Sequence, residues 1–155
     1  MQVIITKHNM DDLYFQEKIY NDVLQILDTN DNDICYCDLN ISKSVEFCKT
    51  IKEKLKAKGK ILNYSHERGF TILRNHNRLV CGSYRGHRLF RGRAFNYIIL
   101  NKFNECPTKV QEEFCCNFAP VWWSLKHITI LITLNPYLEN GKFVDKLIEQ
   151  YGIQT

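Results

Sequence analysis

Arg91–Phe118, RGRAFNYIILNKFNECPTKVQEEFCCNF, carries three signals in succession. A basic, glycine-punctuated loop ends near Arg93. The run Tyr97–Leu100 (YIIL) is continuously apolar, the pattern of a strand buried on both faces of a parallel sheet. Beyond it, Thr108-Lys-Val-Gln111 fits a capping box behind Pro107, and Val110, Phe114 and Phe118 form a helical stripe. A buried strand leading into an amphipathic helix is the repeating unit of α/β proteins.

The same unit recurs on either side. Downstream, His127–Leu134 (HITILITL) reads as a buried strand, and Asn140 is placed to cap a last helix through Phe143, Val144, Leu147, Ile148 and Tyr151. Upstream, Gln2–Thr6 (QVIIT) reads as a strand. Asp11 or Asp12 caps a helix to about Leu27, with Phe15, Ile19, Val23 and Ile26 on one face. Thr29–Asp33 is a turn, Ile34–Leu39 (ICYCDL) a second strand, and residues 42–58 a helix stopped by Gly59. Three short β-like pieces, Ile61–Tyr64, Phe70–Arg74 and Leu79–Gly82, predict a hairpin or an added edge. Alternation of strand and helix with right-handed crossovers predicts a mostly parallel central sheet covered by helices on both faces. We expect one three-layer α/β domain over residues 1–155, of P-loop or Rossmann-like type.

Composition agrees. The chain is 45% hydrophobic and 25% charged, ordinary values for a globular protein. No stretch approaches the roughly 20 apolar residues of a membrane span, and the first residues lack the pattern of a secretory signal. No membrane partner is expected. The seven cysteines (Cys35, Cys37, Cys48, Cys81, Cys106, Cys115 and Cys116) are odd in number, lie mostly in apolar runs and contain no C-x-x-C pair. They read as reduced core thiols of an intracellular compartment and not as zinc ligands.

Charge is segregated. Residues 1–33 carry −5, residues 42–60 carry +5 and residues 66–93 carry +6. The lysines of 42–60 fall mostly on the outer face of an amphipathic helix. The last window holds all seven arginines: Arg68, Arg74, Arg78, Arg85, Arg88, Arg91 and Arg93, with His66, His76 and His87. Guanidinium forks suit phosphate, and arginines interleaved with Phe70, Tyr84, Phe90, Phe95 and Tyr97 are what nucleic-acid contact requires. A solvated loop, or one paired with the acidic N-terminal segment, is the alternative. The expected contact residues are Arg85, His87, Arg88, Arg91 and Arg93, with Arg68 and Arg74 behind them. Gly86 and Gly92 would let the backbone approach a phosphate. One of Trp122 and Trp123 suits the core; the other suits an exposed anchor for a protein partner.

Enzymatic readings have thinner support. Asp38, Glu105 and Lys102 would form a metal-nuclease cluster if their strands were neighbours. Cys106 with His127 would form a nucleophile pair only if both faced one end of the sheet. No catalytic residue, metal ligand or cofactor is assigned.

The order of elements resembles a family. RGRAFNYIILNKFNECPTKVQEEFCCNF is similar to the Walker B region of P-loop NTPases. Ile128–Tyr151 (ITILITLNPYLENGKFVDKLIEQY) and Ile34–Leu55 (ICYCDLNISKSVEFCKTIKEKL) resemble neighbouring elements of the ATPase domain of viral terminase large subunits. The departures fall on the chemistry. Where the family has GxxxxGK[ST], this chain has Lys7-His8-Asn9-Met10-Asp11-Asp12, and the two Walker B acids become Asn101 and Lys102. Asn135-Pro136 stands where the coupling motif would end. The resemblance therefore implies a non-hydrolysing viral relative that binds nucleic acid or a nucleic-acid-handling complex. A decoy or subunit of a related ATPase, or a host-factor binder, is the rival.

Overall fold

The chain runs β1 (Gln2–Thr6), α1 (Leu13–Ile26), β2 (Asp33–Asp38), α2 (Ile41–Ala57), β3 (Ile61–Ser65), β4 (Phe70–Leu73), β5 (Arg78–Ser83), β6 (Tyr97–Leu100), α3 (Thr108–Trp123), β7 (Thr129–Thr133) and α4 (Lys142–Tyr151). This computed structural model describes residues 1–59, 61–65, 70–73, 76–86, 95–123 and 128–154, and the side chains of all but 61–65, 70–73 and 116–123 among them. The strands form one sheet in the order β1-β7-β6-β2-β5-β4-β3. β1, β7, β6, β2 and β5 are mutually parallel; β4 and β3 extend the sheet antiparallel.

Alternation along the strands separates two cores. Ile34 and Tyr36 of β2, with Leu79, Cys81, Ile99 and Leu131, pack against Phe15, Ile19 and Val23 of α1 and Phe47, Ile51 and Leu55 of α2. Cys35 and Cys37, with Val80, Ile98, Leu100, Ile130 and Ile132, pack against Phe114 of α3 and Val144 and Leu147 of α4. Helices thus cover both faces, as the element order predicts. Each fully buried Ile, Leu or Phe contributes roughly 1.5–3 kcal/mol. Among the described residues, no helix is long and apolar enough to cross a membrane.

Three local expectations are corrected. The first two short strands do form an added antiparallel hairpin, but β5 joins the parallel body beside β2. The buried Leu79–Gly82 segment lies in this central layer, and Arg78 forks onto Asp33 at 2.6 and 2.7 Å. The capping box does not close. Gln111 turns its amide to donate to the carbonyls of Phe103 and Cys106, at the end of the 3-10 turn Phe103–Glu105; the Phe103 carbonyl also accepts from the Cys106 N–H. Asn140 does not cap α4. Gly141 does, at φ 83° and ψ 160°, a conformation glycine takes without steric cost.

Candidate functional site

β1, β7, β6 and β2 are parallel neighbours, so their carboxyl ends share one edge. The chain leaves β1 and returns in β2 with two strands between them, and ligands of α/β proteins bind in such a crevice. A cavity of about 210 Å³ lies there, bordered by Met10, Asp11, Tyr36, Asp38, Asn101 and Lys102.

Asn101 is its hub. Its Nδ2 donates to Asp38 Oδ2 at 3.0 Å. Its Oδ1 accepts from the Met10 N–H at 3.2 Å and from the Thr133 hydroxyl at 2.8 Å. One buried amide thus ties β6 to β2, to β7 and to the loop after β1. Asp38 is 2% exposed. Its Oδ2 also accepts from the Tyr36 hydroxyl at 2.7 Å, and its Oδ1 from the Leu39 N–H at 2.8 Å. Burial, then the Asp38 charge, raises the Tyr36 phenol well above its ordinary value, which keeps it a donor.

Lys102 follows in the left-handed region at φ 49° and ψ 47°, uncommon for a residue with a Cβ. Its N–H donates to Thr133 Oγ1 at 2.8 Å. Its side chain is 6% exposed, with Nζ 2.7 Å from Asp11 Oδ2 and 3.9 Å from Glu105 Oε2. Burial works against the ammonium, but the hydrogen bond to Asp11 and the charges of Asp11, Glu105 and Asp38 outweigh it and raise its pKa. The loop that supplies Asp11 is fixed by Asn9, whose Nδ2 donates to the Leu134 carbonyl and whose Oδ1 accepts from the Asp11 N–H. Asp12 caps α1, accepting from the N–H groups of Tyr14 and Phe15 at 2.9 and 3.2 Å.

The structure therefore brings Asp38, Lys102 and Glu105 into one region, as the nuclease reading requires. Both Asp38 oxygens are already engaged, and the lysine is tied to Asp11. In sequence Asp11 is legible only as a charge hostile to phosphate; its pairing with Lys102 needs the strand order.

Of the expected nucleic-acid contacts, Arg85 is described. It is exposed just past β5, on the same edge as Asp38 and Asn101. The preceding Tyr84 donates its hydroxyl to the Asn101 carbonyl at 2.7 Å, so the base of the arginine segment is anchored to the hub. Gly86 donates its N–H to Ser83 Oγ, and a Cβ there would meet that oxygen at 3.0 Å, which favours glycine. His87, Arg88, Arg91, Arg93, Gly92, Arg68 and Arg74 lie outside the described residues. Trp122 and Trp123 end α3, with their side chains outside the description. Cys35, Cys37, Cys48, Cys81, Cys106 and Cys115 are buried as thiols. Burial pushes the Cys106 thiol up to about 12 against the pull of Arg85, the reverse of nucleophile activation. His127 lies outside the described residues.

No protein-family model matches the chain, and no curated protein does. Its fold is similar to that of a large terminase from a thermophilic bacteriophage, with a TM-score of 0.64 over 99% of this chain and 12% identity. The chain spans 38% of that protein's length. At this identity the likeness is one of fold.

Proposed function

We propose that this chain is a non-hydrolysing, viral-type relative of the terminase ATPase core that binds nucleic acid, or a complex handling it, through the segment Arg85–Arg93. One observation carries the non-hydrolysing half. The polar elements where a P-loop protein holds phosphate and metal meet the chain's own charges. The first N–H groups of α1 are capped by the Asp12 carboxylate. The cation at the end of β6 is Lys102, and its anion is Asp11. In the family this loop carries the lysine and this strand end the acids; here the polarity is reversed. The reversed pair supports loss of the Walker chemistry, because an internal carboxylate competes with phosphate at both points.

The fold likeness and the arginine distribution support the binding half. Arg78 is paired with Asp33 at the other end of β5, so that arginine serves the sheet. Arg85 opens the segment exposed at the carboxyl edge. Phosphate contact there would be electrostatic and largely indifferent to sequence. Anisotropy titrations with labelled DNA and RNA test it. The wild type binds, the Arg85/Arg88/Arg91/Arg93→Ala variant does not, and neither releases phosphate from ATP with magnesium. Absence of binding to every probe at low salt overturns the reading.

A protein partner is the second reading, favoured by Leu13 and Ile41, which stand exposed where α1 and α2 leave the same edge. It is selected if no nucleic acid binds and Trp122→Ala or Trp123→Ala abolishes capture of one defined partner.

A further inference from the structure

Charge separates the four α-helices. α2 carries five lysines against Glu46 and Glu53, and Lys58 stands at its C-cap. α1 sets Lys18 against Glu17 and Asp22, and α3 sets Lys109 against Glu112 and Glu113. α4 balances Lys142 and Lys146 with Asp145 and Glu149. Of these helices, α2 alone has a cationic surplus.

Its lysines divide between two flanks. Lys54 turns toward α1, where its Nζ lies 3.9 Å from Glu17 Oε2 and 5.6 Å from the centre of the Tyr20 ring. Lys43 borders the cavity that Gln16 and Tyr20 of α1 also line. Lys49, Lys52 and Lys56 recur at i, i+3 and i+7, the spacing of a single stripe. Lys52 and Lys56 each stand two residues from Lys54, about 200° around the helix. The stripe therefore lies on the flank away from α1, and it runs for about 10 Å along the axis. Lys49 and Lys56 are exposed and Lys52 is half-buried, with the exposed Glu53 as the carboxylate beside them.

The helix beneath this stripe is firmly seated. Phe47, Ile51 and Leu55 are buried against the sheet. In the first turn, the Ser44 hydroxyl donates to the Gly82 carbonyl near the end of β5. Arg85 leaves the same strand end, so one contact sets both the cationic helix and the first arginine of the segment. α1 differs in sign. A carboxylate, Asp12, caps its N-terminus, whereas the neutral Asn40 caps α2. Ammonium groups in a row suit an extended polyanion, because a lysine holds phosphate as a point charge and asks nothing of base identity. Resting on the nucleic-acid reading above, we infer that the phosphate backbone runs from Arg85 along the outer flank of α2, held by Lys49, Lys52 and Lys56.

The test titrates labelled DNA and RNA, single- and double-stranded, across a salt series. It compares wild type with Lys49→Gln/Lys52→Gln/Lys56→Gln and with Lys109→Gln/Lys142→Gln/Lys146→Gln. The second variant removes equal charge from exposed positions on α3 and α4, which cover the opposite face of the sheet. Glutamine keeps the helix propensity of lysine, and urea unfolding checks that both variants are as stable as wild type. On the probe that wild type binds most tightly, the α2 variant lowers the salt slope by about 2–3 units. The α3/α4 variant keeps the wild-type slope, and Glu53→Gln binds more tightly than wild type. An α2 variant with the wild-type slope, or an equal loss in both triple variants, overturns this proposal and leaves the nucleic-acid reading intact. No binding of wild type to any probe overturns both.

Discussion

Lys102 Nζ lies 2.7 Å from Asp11 Oδ2, which joins the end of β6 to the loop that follows β1. The lysine is buried and its partner is mostly exposed, so solvent screens the pair. Asp11→Asn should cost about 0.5–1 kcal/mol in urea unfolding. The Lys102 pKa is raised in the folded state above the ordinary 10.5. Its contribution to stability is therefore full below 10.5 and lost as pH rises through the higher folded value. Unfolding titrations from about pH 9 to about pH 12 should show wild type losing more stability than Asp11→Asn. Equal loss would remove Asp11 as the cause.

Asn101 touches Asp38, Met10 and Thr133, so its replacement is felt on three elements. Asn101→Ala should destabilise by about 2–3 kcal/mol, because Asp38 and the Met10 N–H lose buried partners. Asn101→Asp tests the electrostatics separately. It would set a second carboxylate about 3.0 Å from Asp38 Oδ2, where Asn101 Nδ2 now stands. Two such groups cannot both ionise cheaply. That variant should be less stable than wild type at about pH 7 and recover part of the difference near pH 5, as one carboxyl takes up a proton. A pH-independent deficit would argue against the contact.

Among the described residues, six buried thiols give a chemical readout of the core. Burial pushes Cys37 and Cys81 well above their ordinary value and Cys106 up to about 12. Thiolate is the reactive form. A thiol reagent at about pH 8 should label at most one cysteine quickly in the native protein, and all seven after denaturation. Rapid native labelling of Cys106 would contradict its place in the core with Phe103 and Phe114.

Asn104→Ala removes the hydrogen bonds to the Asn135 N–H and to the Asn135 and Leu138 carbonyls that fix the turn after β7. It should cost about 1–2 kcal/mol in urea unfolding. An unchanged unfolding midpoint would mean that these hydrogen bonds do not hold the turn.

Much of this fold is legible in the sequence because its elements are locally consistent. The Tyr97–Leu100 run and the helical spacing of Ile41, Val45, Cys48, Ile51 and Leu55 specify strand and helix by period alone, although Ile41 at the start of α2 stands exposed. β5 is harder to place, since its role depends on a register with β2 that no local period encodes. Gln111 and Asn140 mislead for a related reason. Both look like caps in sequence, but a 3-10 turn and a glycine at positive φ beside them set other demands. The site is only half readable. Substitution of the Walker B positions by Asn101 and Lys102 is visible in one dimension. The Asp11–Lys102 pair is not, because β1 and β6 come within reach only through β7 between them.

The salt dependence of binding tests the central claim most directly. For the wild type, the logarithm of the association constant for a single strand should fall linearly with the logarithm of salt, with a slope of about −0.7 per phosphate contacted. The Arg85/Arg88/Arg91/Arg93→Ala variant should flatten that line by roughly 3 units or abolish binding. A salt-independent affinity, or a variant that binds like wild type, would contradict the account.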